Sequence, residues 1–210
     1  FNINKDFLAS YGEDMSKNKK FGYENNEDKE KVVIDFGGAN VAKPLHVGHL
    51  RSAIIGESIK RINRFVGNEV IGDAHLGDWG LQMGLIITEL KKRNPDLVYF
   101  DDNYEGEYPS EAPFKMSDLE EIYPCANAKS KEDDAYKEEA QNATYLLQNK
   151  KRGYYALWKH IINVSINDLK RIYNSLSVDF DLWGKESDAQ AYIPDMVEKM
   201  KSDGHAHLDD

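Results

Sequence analysis

Residues 32–80 constrain the fold of this chain more tightly than any other stretch. They open on an apolar run, Val32-Val33-Ile34-Asp35-Phe36, of the kind that forms central parallel strands. A glycine-rich turn follows, Gly37-Gly38-Ala39-Asn40, then Ala42-Lys43-Pro44-Leu45 and the tetrapeptide His46-Val47-Gly48-His49. From Leu50 to about Val66, Ile55, Ile59, Ile62 and Val66 recur at helical spacing, with Leu50 and Ile54 widening the stripe. Gly67 supplies a stop. A second short run over 69–74 leads to Gly77-Asp78-Trp79-Gly80. Strand, glycine turn, helix and strand make a βαβ unit, which binds ligands where strand ends meet helix starts. The expectation is an α/β, Rossmann-like nucleotide-binding fold, with 32–36 and 69–74 as adjacent parallel strands and a largely helical insertion.

The histidine pair is the first candidate for chemistry. A helix start carries unpaired backbone N–H groups and the positive end of the helix dipole, and both attract phosphate. His46 and His49 are three residues apart and share a helical face. Gly48 removes a side chain between them, which would let a flat group such as a base lie on the backbone. Asp35, at the end of the first strand, has two open readings: a polar strand terminus, or a counter-charge for a cationic substrate. The basic residues Arg51, Lys60, Arg61 and Arg64 fall off the apolar stripe and read as a solvated face. Trp79 and Met83 read as core, at the start of a helix running to about Arg93.

Composition bounds the partners. A chain of 210 residues with net charge −10 is a poor general binder of nucleic acid, because phosphate contacts need Lys and Arg. One cysteine, Cys125, excludes an internal disulfide and a Cys-rich zinc site, so no metal ligand set is assigned and a reducing cytoplasm is expected. No apolar run approaches the roughly 20 residues of a membrane helix. The chain starts at Phe1 with no signal-peptide pattern and reads as a piece of a longer polypeptide.

Four segments are expected. Residues 1–31 are a polar linker or the tail of a preceding domain. Residues 32–100 are the first half of a Rossmann catalytic domain. Residues 101–152 are an acidic insertion and a helix, and 153–210 a helical segment returning to the catalytic domain. Between Asp101 and Asn142 there are 13 Asp and Glu against 4 Lys. Before Ser130 this reads as a solvated acidic loop, with Ser130 and Asp133 as the capping pair of a helix running to about Lys151. A further helix from about Tyr154 carries Leu157, Ile161, Val164, Ile172 and Leu176 on its apolar side. Residues 178–182 are a strand candidate. Pro194 opens a short helix ending near Gly204, after which His205-Ala206-His207-Leu208 reads as entering a strand.

His-Val-Gly-His, within the wider string from Ala39 to Ser52, resembles the HIGH-type signature of arginyl-tRNA synthetases, a class I aminoacyl-tRNA synthetase family. Residues 77–84, Gly-Asp-Trp-Gly-Leu-Gln-Met-Gly, are similar to a second block of that family. The resemblance implies ATP-dependent activation of L-arginine and its ligation to tRNA(Arg), with Mg²⁺ accompanying ATP. It implies His46, Gly48 and His49 as ATP-binding residues, and His46, His49 and Lys43 as the catalytic set. Lys43 would stand in for the lysine of a second signature, KMSKS, that these residues lack. For arginine it implies Asp35 against the guanidinium and Gly38, Ala39 and Asn40 around the backbone groups, with His49 close by. The tRNA would dock mainly through regions outside this chain, the enzyme would be monomeric and cytoplasmic, and the fragment alone would be inactive. Two other readings compete: a small HxGH nucleotidyltransferase, and a non-catalytic binding module derived from a synthetase.

Overall fold

The computed structural model of the protein describes residues 2–23 and 28–207. In chain order the elements are α1 (Lys5–Ser16), β1 (Lys31–Asp35), α2 (Val47–Phe65), β2 (Glu69–Asp73), α3 (Leu81–Arg93), α4 (Met116–Glu132), α5 (Asp134–Gln148), α6 (Arg152–Ser175) and α7 (Ile193–Ser202). Short 3₁₀ turns lie at Val98–Phe100 and Glu186–Ala189. β1 and β2 pair in parallel, Lys31 opposite Glu69 through Asp35 opposite Asp73, with α2 as the crossover. This is the expected βαβ unit. A third chain segment joins the end of β2 and the residues after it by isolated parallel bridges, Asp73 with Leu182 and Leu76 with Lys185. The expected strand over 178–182 does not form. Asp181 and Leu182 both donate to the Gly72 carbonyl, and the Asp181 carboxylate takes the Gly72 N–H at 2.7 Å, so a side chain interrupts the ladder.

The face on which α2 packs reverses the expectation. Its buried residues are Ala53, Gly56, Glu57 and Lys60, while Ile54, Ile55, Ile59 and Ile62 are exposed. Close approach explains the choice. A side chain at Gly56 would sit 2.2 Å from the Phe36 ring, so only a glycine lets α2 lie on β1 here. Lys60 is fully buried, and its ammonium bonds the Asp179 carbonyl at 2.6 Å and pairs with Glu57 at 2.8 Å. A buried cation is tolerated only with such partners. Arg61 pairs with Glu57 and donates to the Ser177 carbonyl, and Arg64 grips Asp181 through both oxygens at 2.8 and 2.6 Å. Three of the four basic residues read as a solvated face therefore clamp α2 to the returning segment 177–184. Their partner carboxylates Asp179 and Asp181 sit below the usual carboxylate range. For Asp179 the Lys60 bond is the main cause; for Asp181 burial opposes the shift, and the Gly72 N–H and Arg64 outweigh it.

The second half is helical. Met83, Ile86, Ile87 and Leu90 of α3 meet Leu119 and Ile122 of α4, Leu147 of α5 and Leu157 and Ile161 of α6 in one apolar core. Residues 116–132, expected to be loop, form α4, because Leu119, Ile122 and Ala126 give this acidic segment a buried stripe. Pro124 lies inside that helix without ending it. The following helix starts later than expected. Asp133 is its N-cap, accepting from Ala135 N–H at 2.9 Å, and Ser130 belongs to α4. At the N-terminus, α1 occupies part of the expected linker but buries no residue. No strand follows α7 among residues 205–207, and Leu208 lies outside the described residues.

Candidate active site

The loop between β1 and α2 is held rigidly before it delivers the histidines. Val41 N–H bonds the Gly77 carbonyl at 3.0 Å, and Gly77 N–H bonds the Ala39 carbonyl at 3.1 Å. Ala42 takes the left-handed conformation, φ 57°, and its N–H is received by the buried Ser165 hydroxyl at 2.9 Å. A non-glycine residue holds that conformation only when its surroundings impose it.

His46 is the N-cap of α2, a position usually taken by Ser, Thr, Asp or Asn. Its Nδ1 accepts from the Gly48 N–H at 3.1 Å. His49 reciprocates, its Nδ1 accepting from the His46 N–H at 3.3 Å. The two rings lie 3.9 Å apart between centroids, tilted by 34°. Gly48 makes this fold-back fit, since a side chain there would approach the His46 ring to 2.9 Å. The space expected to receive a base is thus taken by the His46 imidazole. With both Nδ1 atoms accepting, the hydrogen-bond network assigns each proton to Nε2, and both rings present an N–H donor at the helix start. Burial, then His46, then Lys43 lower the pKa of His49, so that ring is neutral at physiological pH.

These side chains border a cleft of about 380 Å³ lined by Asp35, Phe36, Gly38, His46, Gly48, His49, Ser52 and Tyr173. That volume lies within the roughly 300–1,000 Å³ typical of small-molecule sites. Of the residues singled out in the sequence, Asp35, Gly38, His46, Gly48 and His49 converge here. Ala39, Asn40 and Lys43 do not line the cleft. Ala39 is buried, and both its backbone polar groups are engaged, its N–H with the Gly37 carbonyl at 2.7 Å. The Asn40 side chain lies over Gly77, where a Cβ would meet its oxygen at 2.1 Å. The Lys43 ammonium stands 4.4 Å from the Tyr123 ring centroid on α4.

Ser52 and Tyr173 were not anticipated. Ser52 was legible, because it follows His49 by three residues on the same helical face. Tyr173 was not, because only the packing of α6 brings it to the cleft. The Gly77-Asp78-Trp79-Gly80 block does not line the cleft either. Its Asp78 carboxylate binds Ser187 N–H at 2.9 Å and the Ser187 hydroxyl at 2.6 Å. Trp158 donates to the Asp78 carbonyl at 2.9 Å and Gln148 to the Trp79 carbonyl at 2.9 Å. The block therefore ties the helical half to the sheet. Burial raises the pKa of Asp78 despite the Ser187 bonds.

A parallel βαβ unit, a rigid loop and two N–H donors at a helix start define a Rossmann-like α/β domain with a candidate phosphate site. Comparison with known proteins narrows the class. Residues 13–210 match the family described as "tRNA synthetases class I (R), catalytic domain". The chain belongs to that family, the catalytic domain of class I arginyl-tRNA synthetases. It is 62% identical over 203 residues to the arginine--tRNA ligase of Agathobacter rectalis, covering 96% of this chain and 34% of that protein. It is 58% identical over 209 residues to that of Alkaliphilus oremlandii, covering 100% and 36%. Among solved structures, arginyl-tRNA synthetase from Plasmodium falciparum superposes with a TM-score of 0.66 at 27% identity, over 96% of this chain and 33% of that one. The Thermus thermophilus arginyl-tRNA synthetase gives 0.57 at 18% identity, over 86% and 27%, a likeness of fold. The chain spans about a third of the length of the curated relatives it matches. No helix among the described residues is long and apolar enough to cross a membrane.

Proposed function

We propose that this chain forms the phosphate-binding half of an arginine-activating site, in a protein that joins L-arginine to ATP as arginyl-adenylate and passes the arginyl group to tRNA(Arg). In activation the arginine carboxylate attacks the α-phosphorus and pyrophosphate leaves. Negative charge builds on the phosphate oxygens, and donors fixed in advance lower the barrier because they need not reorganise. The observation that carries the reading is the reciprocal capping of His46 and His49, which aims two Nε2–H groups at the start of α2. A neutral His49 needs no charge of its own for this task, and keeping Nδ1 unprotonated preserves its bond from the His46 N–H. Lys43 lies close enough to His49 to lower its pKa, and on this reading it swings from Tyr123 towards the phosphates. Asp35, exposed at the end of β1 and facing the same cleft, balances the guanidinium. Gly38, which lines the cleft, borders the amino-acid backbone, and Asn40 acts behind it by packing its side chain over Gly77. Mg²⁺ arrives on the ATP phosphates, which suits an ion that keeps its waters and few protein ligands. The acidic charge of this chain assigns the main tRNA contact to other parts of a longer, cytoplasmic protein.

The test is arginine-dependent adenylate formation by the complete gene product in the presence of tRNA(Arg). His46→Ala and His49→Ala should each lower kcat by about a hundredfold. Wild-type rates in both variants would remove the histidines from the mechanism and leave a non-catalytic module as the better reading.

A further inference from the structure

Tyr173 carries a polar atom that the fold itself leaves unused. The residue is 1% exposed, with its ring packed edge-on against Phe180 at 5.0 Å and tilted against Trp183 at 6.3 Å. These surroundings would accept a phenylalanine equally well. Its hydroxyl has no hydrogen-bond partner among the described residues, although Tyr99, buried to the same degree, bonds His160 at 2.9 Å. An unused buried hydroxyl is costly and calls for an explanation. The hydroxyl is not sealed inside the protein, since the one sealed, unpartnered side-chain polar atom among the described residues is the Thr88 hydroxyl. Tyr173 instead lines the cleft shared by Asp35, Gly38, His46, His49 and Ser52. Burial raises its pKa, so the group is a neutral phenol.

We propose that Tyr173 is a substrate-contacting, specificity-determining residue, its phenol oxygen accepting an N–H from the cationic side chain whose charge Asp35 balances. The inference rests on the reading that the cleft takes arginine. A guanidinium has five N–H donors and no acceptor, and one carboxylate satisfies two of them in a bidentate pair. The remaining donors, once desolvated, need further acceptors. A neutral oxygen supplies one without placing a second negative charge beside Asp35. The phosphates are not its target, because the helix-start donors His46 and His49 already serve them, and Tyr173 is joined to Phe36, which follows Asp35, through the Phe180 ring that packs on both.

The experiment is Tyr173→Phe in the complete gene product, with arginine and ATP titrated separately in adenylate formation and thermal unfolding measured alongside. The arginine KM should rise about tenfold, the loss of one hydrogen bond to a charged group, with the ATP KM within about twofold of wild type and Tm unchanged or raised. An unchanged arginine KM overturns the proposal. So does a rise of both KM values together with a lower Tm, which marks a structural role. Asp35→Asn, assayed in parallel, separates this inference from the reading beneath it. If the wild-type protein activates arginine and Asp35→Asn raises its KM while Tyr173→Phe does not, only the Tyr173 role fails. If the wild-type protein does not activate arginine, the reading of the cleft itself fails.

Discussion

The βαβ unit and the helical half of this protein bury their helices by opposite means. In the helical half, α6 places Leu157 and Ile161 in an apolar core at 0% exposure, as its sequence periodicity indicates, although Leu176, expected on the same side, is the C-cap and exposed. In the βαβ unit, α2 carries an equally regular isoleucine stripe and turns it outward, with Ile62 62% exposed, while Lys60 is fully buried. The first helix is positioned by hydrophobic burial, which is strong and non-directional. The second is positioned by one close backbone approach at Gly56 and by ion pairs to 177–184, which are weaker per contact but fix distance and angle. That suits a helix whose N-terminus must present two imidazoles at set positions. The helical half has a directional feature of its own in Glu89, 2% exposed and bonded by Lys129 at 2.9 Å, Arg93 at 2.9 Å and Tyr136 at 2.8 Å. It joins α3, α4 and α5 around a second, smaller apolar cluster of Leu85, Ala126, Tyr136 and Ala140.

The contrast can be broken by mutation, and the largest expected effect lies in the apolar core. Leu157→Ala should cost about 2–5 kcal/mol in denaturant unfolding, the transfer loss plus a residual cavity. A cost below about 1 kcal/mol would show that the helical half is not organised by burial.

A smaller effect is expected at Glu89, whose pKa is held at about 2. Burial alone would raise it, but the bonds from Lys129, Arg93 and Tyr136 outweigh burial. Its folded pKa lies below the unfolded value of 4.5, so the stability it contributes is fully present above pH 4.5 and is lost as pH falls towards 2. Glu89→Gln should cost roughly 2 kcal/mol near neutrality, less than for a fully enclosed pair because water reaches Lys129. It should also flatten the dependence of the unfolding midpoint on pH between about 4.5 and 2. An unaltered pH slope would exclude Glu89 as the acid-sensitive group.

The smallest expected effect sharpens the comparison most. Ile59→Ser, on the outward stripe of α2, should change the stability of this chain by less than about 0.5 kcal/mol. A loss approaching that of Leu157→Ala would show that the stripe is buried in solution.

The local order of β1, turn, α2 and β2 was legible in the sequence, because strand runs, a glycine turn and a helical period are short-range signals. So was the meeting of His46, Gly48 and His49, since they fall within four residues and come together through one helix cap. α4 was hidden because its acidic composition masks Leu119, Ile122 and Ala126, which gain meaning only against α3 and α5. The sequence by itself determined which residues could form each element and which tetrapeptide could hold a phosphate. The tertiary structure alone decided which face of α2 is buried, because periodicity marks a stripe but cannot see that Gly56 admits Phe36 or that Asp179 waits for Lys60. It alone brought Tyr173 into the cleft beside Asp35, 138 positions earlier in the chain, because contacts between residues so far apart depend on how helices pack rather than on any local pattern.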